Sequence, residues 1–581
     1  MGESDILKLG ARPLRLAELR RVYEGPVTVG IAPEALGAVR AAHLLTARLA
    51  AAEAPAYGIN TGFGLLANTR IAPAQRTLLQ RNIILSHSAG VGALLDDSIV
   101  RLTLVLKLAS LLQGFSGVSE PLVRFLERLI NTGLLPCVPS QGSVGASGDL
   151  APLAHLSLVV LGLGTVRRHG EALPAAEALA QEGLTPLSLG PKEGLALLNG
   201  TQVSTALALG GLFELEKVYA AAVVAGALSV DALQGSDVPF DPRIQHLRGH
   251  DGQARVARVY RELLAGSEIR ESHRTCTRVQ DPYSLRCQPQ VMGACLDLMT
   301  QQAGMLATEA NAVTDNPLVF TESGEVLSGG NFHAEPVAFA ADVLALACAE
   351  IGSITERRIA LLVDPNMSGL PAFLAPESGV NSGFMLAQVT AAALVAENRM
   401  LCHPASIDSI PTSANQEDHV SMATHGARRL LDMTANALKI VAIEFLSACQ
   451  GIDLRAPLKT SPRLAAAHGA LRLKVPFATS DRLLALDIEE AATTVRRAEV
   501  QSEASSLLPS YRLAGCQTRN RLRSAQPATR PYSVKCARTT GLRPHECGGS
   551  HPSAFLIVGI GTLYRRATAT GRPRRRSRSA Y

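Results

Sequence analysis

Apolar residues recur at three- and four-residue steps along seven long stretches: 35–54, 98–131, 202–233, 288–312, 335–362, 382–401 and 417–449. That spacing puts one apolar stripe on an α-helix. Several stretches run well past the ~11–12 residues of an average globular helix. Their Ala and Leu content suits helix and lets neighbouring helices approach closely. Helices of this length normally pack side by side. Strand patterns are few, with 27–31 and 165–167 as the candidates. The pattern predicts a mainly α fold, an extended bundle of long helices over 206–510 preceded by a smaller mixed region over 1–205. Apolar runs such as 220–228 are short, and others are broken by Asp231, Asp342 or Glu350, so no span of about 20 uninterrupted apolar residues is expected to cross a membrane.

Gly, Asn and Pro collect between the helical stretches, at 57–68, 136–152, 191–201, 280–288, 315–317, 328–333 and 406–419. In a helical scaffold such connectors are the natural place for chemistry. Past Ser510 the helical period stops. Residues 511–581 carry 15 Lys+Arg and a single acid, Glu546, whereas the rest of the chain carries 41 basic and 49 acidic residues, a net −8. The overall charge of +6 therefore belongs to the tail, and the body gives no electrostatic argument for an acidic partner. Aromatics are 4% of residues and Trp is absent, which argues against a base-stacking surface. Ten cysteines without a C-x-x-C pair support neither structural zinc nor a disulfide framework. The acidic start, Met1-Gly2-Glu3-Ser4-Asp5-Ile6, has no signal-peptide core, so a cytoplasmic location is expected.

Residues 142–155, GSVGASGDLAPLAH, combine a flexible tripeptide with a helix start. Asp149 is placed to cap the helix, Pro152 is tolerated in its first turn, and an apolar run follows over 153–163. Within Ala146-Ser147-Gly148, attack of the Gly148 nitrogen on the Ala146 carbonyl would close a five-membered ring, for which glycine's backbone freedom suits the attacking position. Loss of water from the ring and from Ser147 would leave a methylidene conjugated to an imidazolone (MIO), an electrophile made wholly from protein. The tripeptide alone fits a flexible turn capping a helix better than it fits this chemistry. Its surroundings, together with ordered matches at 57–64, 80–90, 194–201, 280–290, 314–318, 329–336 and 409–419, resemble the MIO-dependent aromatic amino-acid lyase family over about residues 5–510.

The resemblance implies that Ala146, Ser147 and Gly148 form the MIO without an external cofactor or metal. It implies that Tyr57 is the base that takes the substrate β-proton, although a Tyr among glycines also fits a loop anchor. It assigns Asn199 to the vicinity of the electrophile, where a helix C-cap before Gly200 is the alternative. Gln280 and Tyr283 match active-site residues, and Arg286 offers a planar fork suited to an α-carboxylate unless it forms an internal ion pair. Asn316 and Phe332 match substrate-pocket positions, where a turn and a packing residue are the plain readings. Ser86 and His87 correspond to the pair around the substrate ring, which reads Ser-His in histidine-selective members. Glu417 occupies the position where those members accept a hydrogen bond from an imidazole N–H, and locally it would also suit the first turn of a helix.

The implied activity is deamination of L-histidine to trans-urocanate and ammonia, the first step of histidine degradation. The alternative is a tyrosine or phenylalanine ammonia-lyase or aminomutase of the same family. A homotetramer with sites lined by more than one subunit is implied, with neither nucleic acid nor membrane as partner. The Arg572–Arg578 run would be the only feature for a nucleic-acid reading. Residues 511–581 have no family counterpart; their composition fits a disordered or out-of-frame tail, so truncation after Ser510 is expected to spare activity.

Overall fold

Gln202–Ala232 forms a 31-residue helix in which every residue except Glu214 and Lys217 is buried. A helix apolar on all sides belongs inside a core, and this one is wrapped by other long helices. Ala423–Asp453 packs along it, Glu335–Val363 packs on Ala423–Asp453, and Gln288–Glu309 and Asp251–Leu264 extend the layer. The computed structural model describes residues 6–274, 279–500 and 503–512, all within one compact unit.

The predicted bundle is present, with instructive differences at its breaks. The 98–131 stretch is two helices, Asp97–Leu111 and Glu120–Thr132. Gly114 takes φ +80° between them, a left-handed turn that glycine adopts without a steric cost. The last predicted stretch begins at Ala423 rather than 417, because residues 409–422 are used to build a loop. The strand candidates appear as Val29–Ile31 and Thr165–Arg168. The first pairs in parallel with Leu7–Leu9, and the second lies between Leu135–Pro136 and Glu171–Pro174 in an antiparallel sheet. Val91–Leu94 with Pro139–Gln141, and Leu318–Phe320 with Glu325–Leu327, make two further small sheets. At two to four residues each, these partners carry too little alternation to stand out in sequence.

Glu335–Val363 is long and apolar enough to cross a membrane, yet two of its charges are paired inside the bundle. Asp342 pairs with Arg429 and accepts from the Ala405 and Ser406 amides, and Arg358 pairs with Glu444. At the other end of the chain, buried Ser510 donates its amide to Glu216 of the central helix at 2.8 Å. Tyr511 lies against Arg20, which pairs with Glu216 in turn. The ordered body therefore continues through the short helix Pro509–Arg512, two residues past the predicted end. Residues 513–581 lie outside the described residues.

Candidate active site

Residues 142–149 are held by three other segments. Val144 and Gly145 carbonyls accept from Met422 N (2.8 Å), Ser421 Oγ (3.0 Å) and Ala334 N (3.3 Å). The Asp149 amide donates to Gly200 O at 2.8 Å. The expected N-cap role of Asp149 is not what its side chain does. One carboxylate oxygen accepts from Ser143 Oγ (3.0 Å) and Thr424 Oγ1 (2.7 Å), the other from Ser204 N (2.7 Å) and Oγ (2.9 Å). Four donors from three segments outcompete one amide of its own helix. Burial pushes this carboxyl above its ordinary range while the hydrogen bonds oppose that rise. The result is a knot that fixes the loop to the first turns of the Gln202–Ala232 and Ala423–Asp453 helices.

Ala146 is buried, and Gly148 has φ +75°. A Cβ on Gly148 would sit 2.3 Å from Gly200 O, so the backbone approaches as closely as only glycine allows. Ser147 donates its hydroxyl to Glu417 Oε1 at 2.6 Å. The second Glu417 oxygen accepts from Thr412 Oγ1 (2.7 Å) and Ser413 Oγ (2.8 Å). Burial raises the Glu417 carboxyl, but these three hydroxyls outweigh it and hold the group below the usual carboxylate range. Glu417 is thus ionised at neutral pH. It stands in a loop, not a helical first turn. That loop carries Ser413, Ala414 and Asn415 consecutively at positive φ, a strained backbone of the sort that clusters at functional sites.

The other predicted residues fall into two groups. His87 ends the Arg76–His87 helix, with Ser86 Oγ 3.0 Å from its Nδ1. Burial lowers its pKa against a weaker pull from Glu417, so the imidazole is neutral at neutral pH. Tyr57 is half-buried, its hydroxyl accepting from Gly64 N at 3.2 Å. The Gly64–Leu66 turn beside it packs on the Ser413–Asn415 turn, bringing the Tyr57 loop to the Glu417 loop. Asn199 is the C-cap of Glu193–Leu198, and its Oδ1 is buried without a hydrogen-bond partner, free for a group at the loop. Asn316 Oδ1 accepts from Gly329 N at 2.8 Å, which anchors the connector bearing half-buried Phe332.

Gln280, Tyr283 and Arg286 lie elsewhere. Gln280 and Tyr283 are exposed, and the Arg286 guanidinium stacks 4.7 Å over the Tyr283 ring, its Nε buried and unpartnered. Gln288, just beyond, donates to Gly226 O, and Asp281 accepts from Ser236 N. Asp149, by contrast, is tied to Ser204. Twenty-two residues of helix separate Ser204 from Gly226, roughly 33 Å at 1.5 Å per residue. Within one chain the two groups sit far apart along the central helix.

Lys107 was not visible as a site residue, though a single charge within the apolar run 102–112 was a usable signal. It is fully buried and donates to the carbonyls of Asn199 (2.7 Å) and Ala196 (3.2 Å). Nearby, Lys192 pairs with Asp315 at 2.5 Å. Burial pushes the Lys107 ammonium down to about 7, against attraction from Asp315 and Asp149. Below that pH folded and unfolded chains both hold the proton, and the full cost of burying it is felt. Between about 7 and the unfolded value near 10.5 the folded chain sheds it first, so the cost fades as pH rises. Wild-type protein is expected to gain thermal stability relative to Lys107→Met across that window, by at most about 1.4 kcal/mol per pH unit. Parallel melting-temperature profiles of the two proteins would contradict this.

Residues 14–473 match the model of the family described as aromatic amino acid lyase. The chain is 58% identical over 479 residues to the histidine ammonia-lyase of Vibrio cholerae serotype O1 (strain ATCC 39315 / El Tor Inaba N16961), covering 82% of this chain and 94% of that protein. Among solved structures it resembles the histidine ammonia-lyase of Trypanosoma cruzi (TM-score 0.81, 39% identity, 91% of this chain and 99% of that one). It also resembles the tyrosine aminomutase of Streptomyces globisporus (TM-score 0.81, 35% identity, 86% and 98%). A family match over most of the chain, a majority-identical relative and a shared helical bundle lead to one statement: the chain belongs to the aromatic amino acid lyase family.

Proposed function

We propose that the protein is a histidine ammonia-lyase that converts L-histidine to trans-urocanate and ammonia. The observation that carries this reading is Ser147 Oγ at 2.6 Å from Glu417, with the His87 imidazole near enough to feel the charge of the same carboxylate. An ionised Glu417 can accept from a substrate imidazole N–H, which a phenyl ring cannot offer. The Ala146-Ser147-Gly148 loop fits MIO formation: Gly148 has no room for a side chain, and the buried Asn199 Oδ1 lacks a partner. When formed, the MIO supplies an electrophile that makes the substrate amine a better leaving group. Tyr57 takes the β-proton, and Arg286 binds the α-carboxylate as a charged fork.

Arg286 and Tyr283 cannot reach Ser147 of their own chain across roughly 33 Å of helix. We therefore assign them to the site of another copy, as a homotetramer with shared sites requires. Exposed apolar residues such as Leu386, Val389 and Met400 suit such an assembly. Addition of L-histidine to purified enzyme without cofactor is expected to give urocanate absorbance, with no product from L-tyrosine or L-phenylalanine. A β-amino acid product, or turnover of L-tyrosine or L-phenylalanine instead, would favour the aminomutase or the tyrosine- or phenylalanine-lyase reading. Ser147→Ala and Arg286→Ala chains, each inactive alone, are expected to regain a substantial fraction of activity when co-expressed. No recovery in verified mixed assemblies would overturn the shared site.

A further inference from the structure

We propose that His333, Glu335 and His419 form a binding site for a divalent transition-metal ion of the zinc class. Glu335 opens the Glu335–Val363 helix, His333 ends the connector before it, and His419 comes from the loop that carries Glu417. His333 Nδ1 is 3.9 Å and His419 Nε2 4.0 Å from the same oxygen, Glu335 Oε2, and all three donor atoms lie within 4.8 Å of one another. These separations are too long for hydrogen bonds. Glu335 Oε2 is nevertheless buried with no hydrogen-bond partner, which is costly for a carboxylate oxygen. Two donors each ~2.1 Å from a tetrahedral ion stand only about half an ångström closer than these pairs, a gap that side-chain rotation can close.

The ligand state of His333 is already set. Its Nε2–H donates to the His419 carbonyl at 3.1 Å, leaving the Nδ1 lone pair on the Glu335 side. A backbone carbonyl on the far ring nitrogen is the usual outer support of a metal-bound histidine. The two imidazoles are nearly parallel, at 6° with centroids 5.8 Å apart. Two imidazoles and a carboxylate favour zinc, cobalt or nickel over magnesium or calcium, and three protein ligands leave a position for water. The His419 side chain is 68% exposed, which gives an ion a path in. Because Ala334 N binds Gly145 O and His419 lies two residues from Glu417, an ion here would clamp the Glu417 loop to the segment beside the Ala146-Ser147-Gly148 loop.

The test uses untagged, chelator-treated, full-length protein, titrated with Zn²⁺ by calorimetry and with Co²⁺ by visible absorption. One ion per chain is expected, accompanied by a rise in melting temperature, and Mg²⁺ should not compete. His419→Ala, which alters a mostly exposed side chain, should remove that stoichiometric site. Glu335→Gln, checked for folding by thermal melt, should weaken it at least tenfold. The protein has 14 histidines, so binding that persists unchanged in His419→Ala would show the ion to sit elsewhere and overturn the proposal. Absence of stoichiometric binding to the wild type would overturn it equally. Because binding is read directly, neither result depends on whether the deamination reading is correct.

Discussion

Ser147→Ala is expected to lower deamination at least ~10³-fold, about 4 kcal/mol of transition-state stabilisation, while leaving the bundle folded. Without the Ser147 hydroxyl there is no water to lose from this residue, and no methylidene can conjugate with a ring formed from Ala146 and Gly148. The structural cost is small by comparison. Ser147 is half-buried, and its side chain makes one hydrogen bond, to Glu417. A typical bond of this kind contributes about 0.5–1.5 kcal/mol net. Glu417 keeps Thr412 and Ser413 as partners, and the Asp149 knot that shapes the loop does not involve Ser147. The check is turnover of L-histidine beside a thermal melt of the same preparation. Near-wild-type turnover would remove the MIO from the proposed mechanism. A collapsed melting temperature would mean that Ser147 holds the loop rather than its chemistry.

Much of this arrangement is legible in sequence because helices write a local period. The central helix and its neighbours appear within a few residues of where the apolar repeat puts them, and the connectors carrying Glu417 and Gly200 meet the Ala146-Ser147-Gly148 loop and its next residue, Asp149. What was not legible depends on distant partners. Asp149 looks like a cap until Ser204 and Thr424, 55 and 275 positions away, offer it better donors. Glu417 looks like the first turn of a helix until Thr412 and Ser413 fold back onto it. The loop motifs give no sign that Arg286 and Tyr283 sit at the far end of a 31-residue helix. That separation is a property of how Gln288 meets Gly226 across the bundle. Lys107 is hidden for a related reason: one lysine in an apolar run reads as a surface residue until the carbonyls it caps are seen.

The other large effect expected is on stability, where three long helices meet around a buried ion pair. Arg358 of Glu335–Val363 and Glu444 of Ala423–Asp453 have fully buried side chains. The Arg358 Nη2 lies 2.7 Å from Glu444 Oε2, and Ser229 of the central helix donates to Glu444 Oε1 at 2.7 Å. Burial works against the charge on Arg358, but the attraction of Glu444 prevails and raises its pKa, so the guanidinium keeps its charge. Removing one member strands the other charge in the core, which costs about 3–5 kcal/mol. Arg358→Met and Glu444→Gln are each expected to show a loss of that size, measured by denaturation at fixed protein concentration. Removing both charges with apolar residues of similar volume is a different case, since the desolvation cost of both ions disappears with their attraction. Arg358→Met combined with Glu444→Leu should therefore recover most of the loss, and Arg358 Nη1, buried without a partner in the wild type, is one reason the native pair is not an optimum. A double variant that loses the sum of the two single effects would show that packing around these side chains, not their charges, joins the three helices.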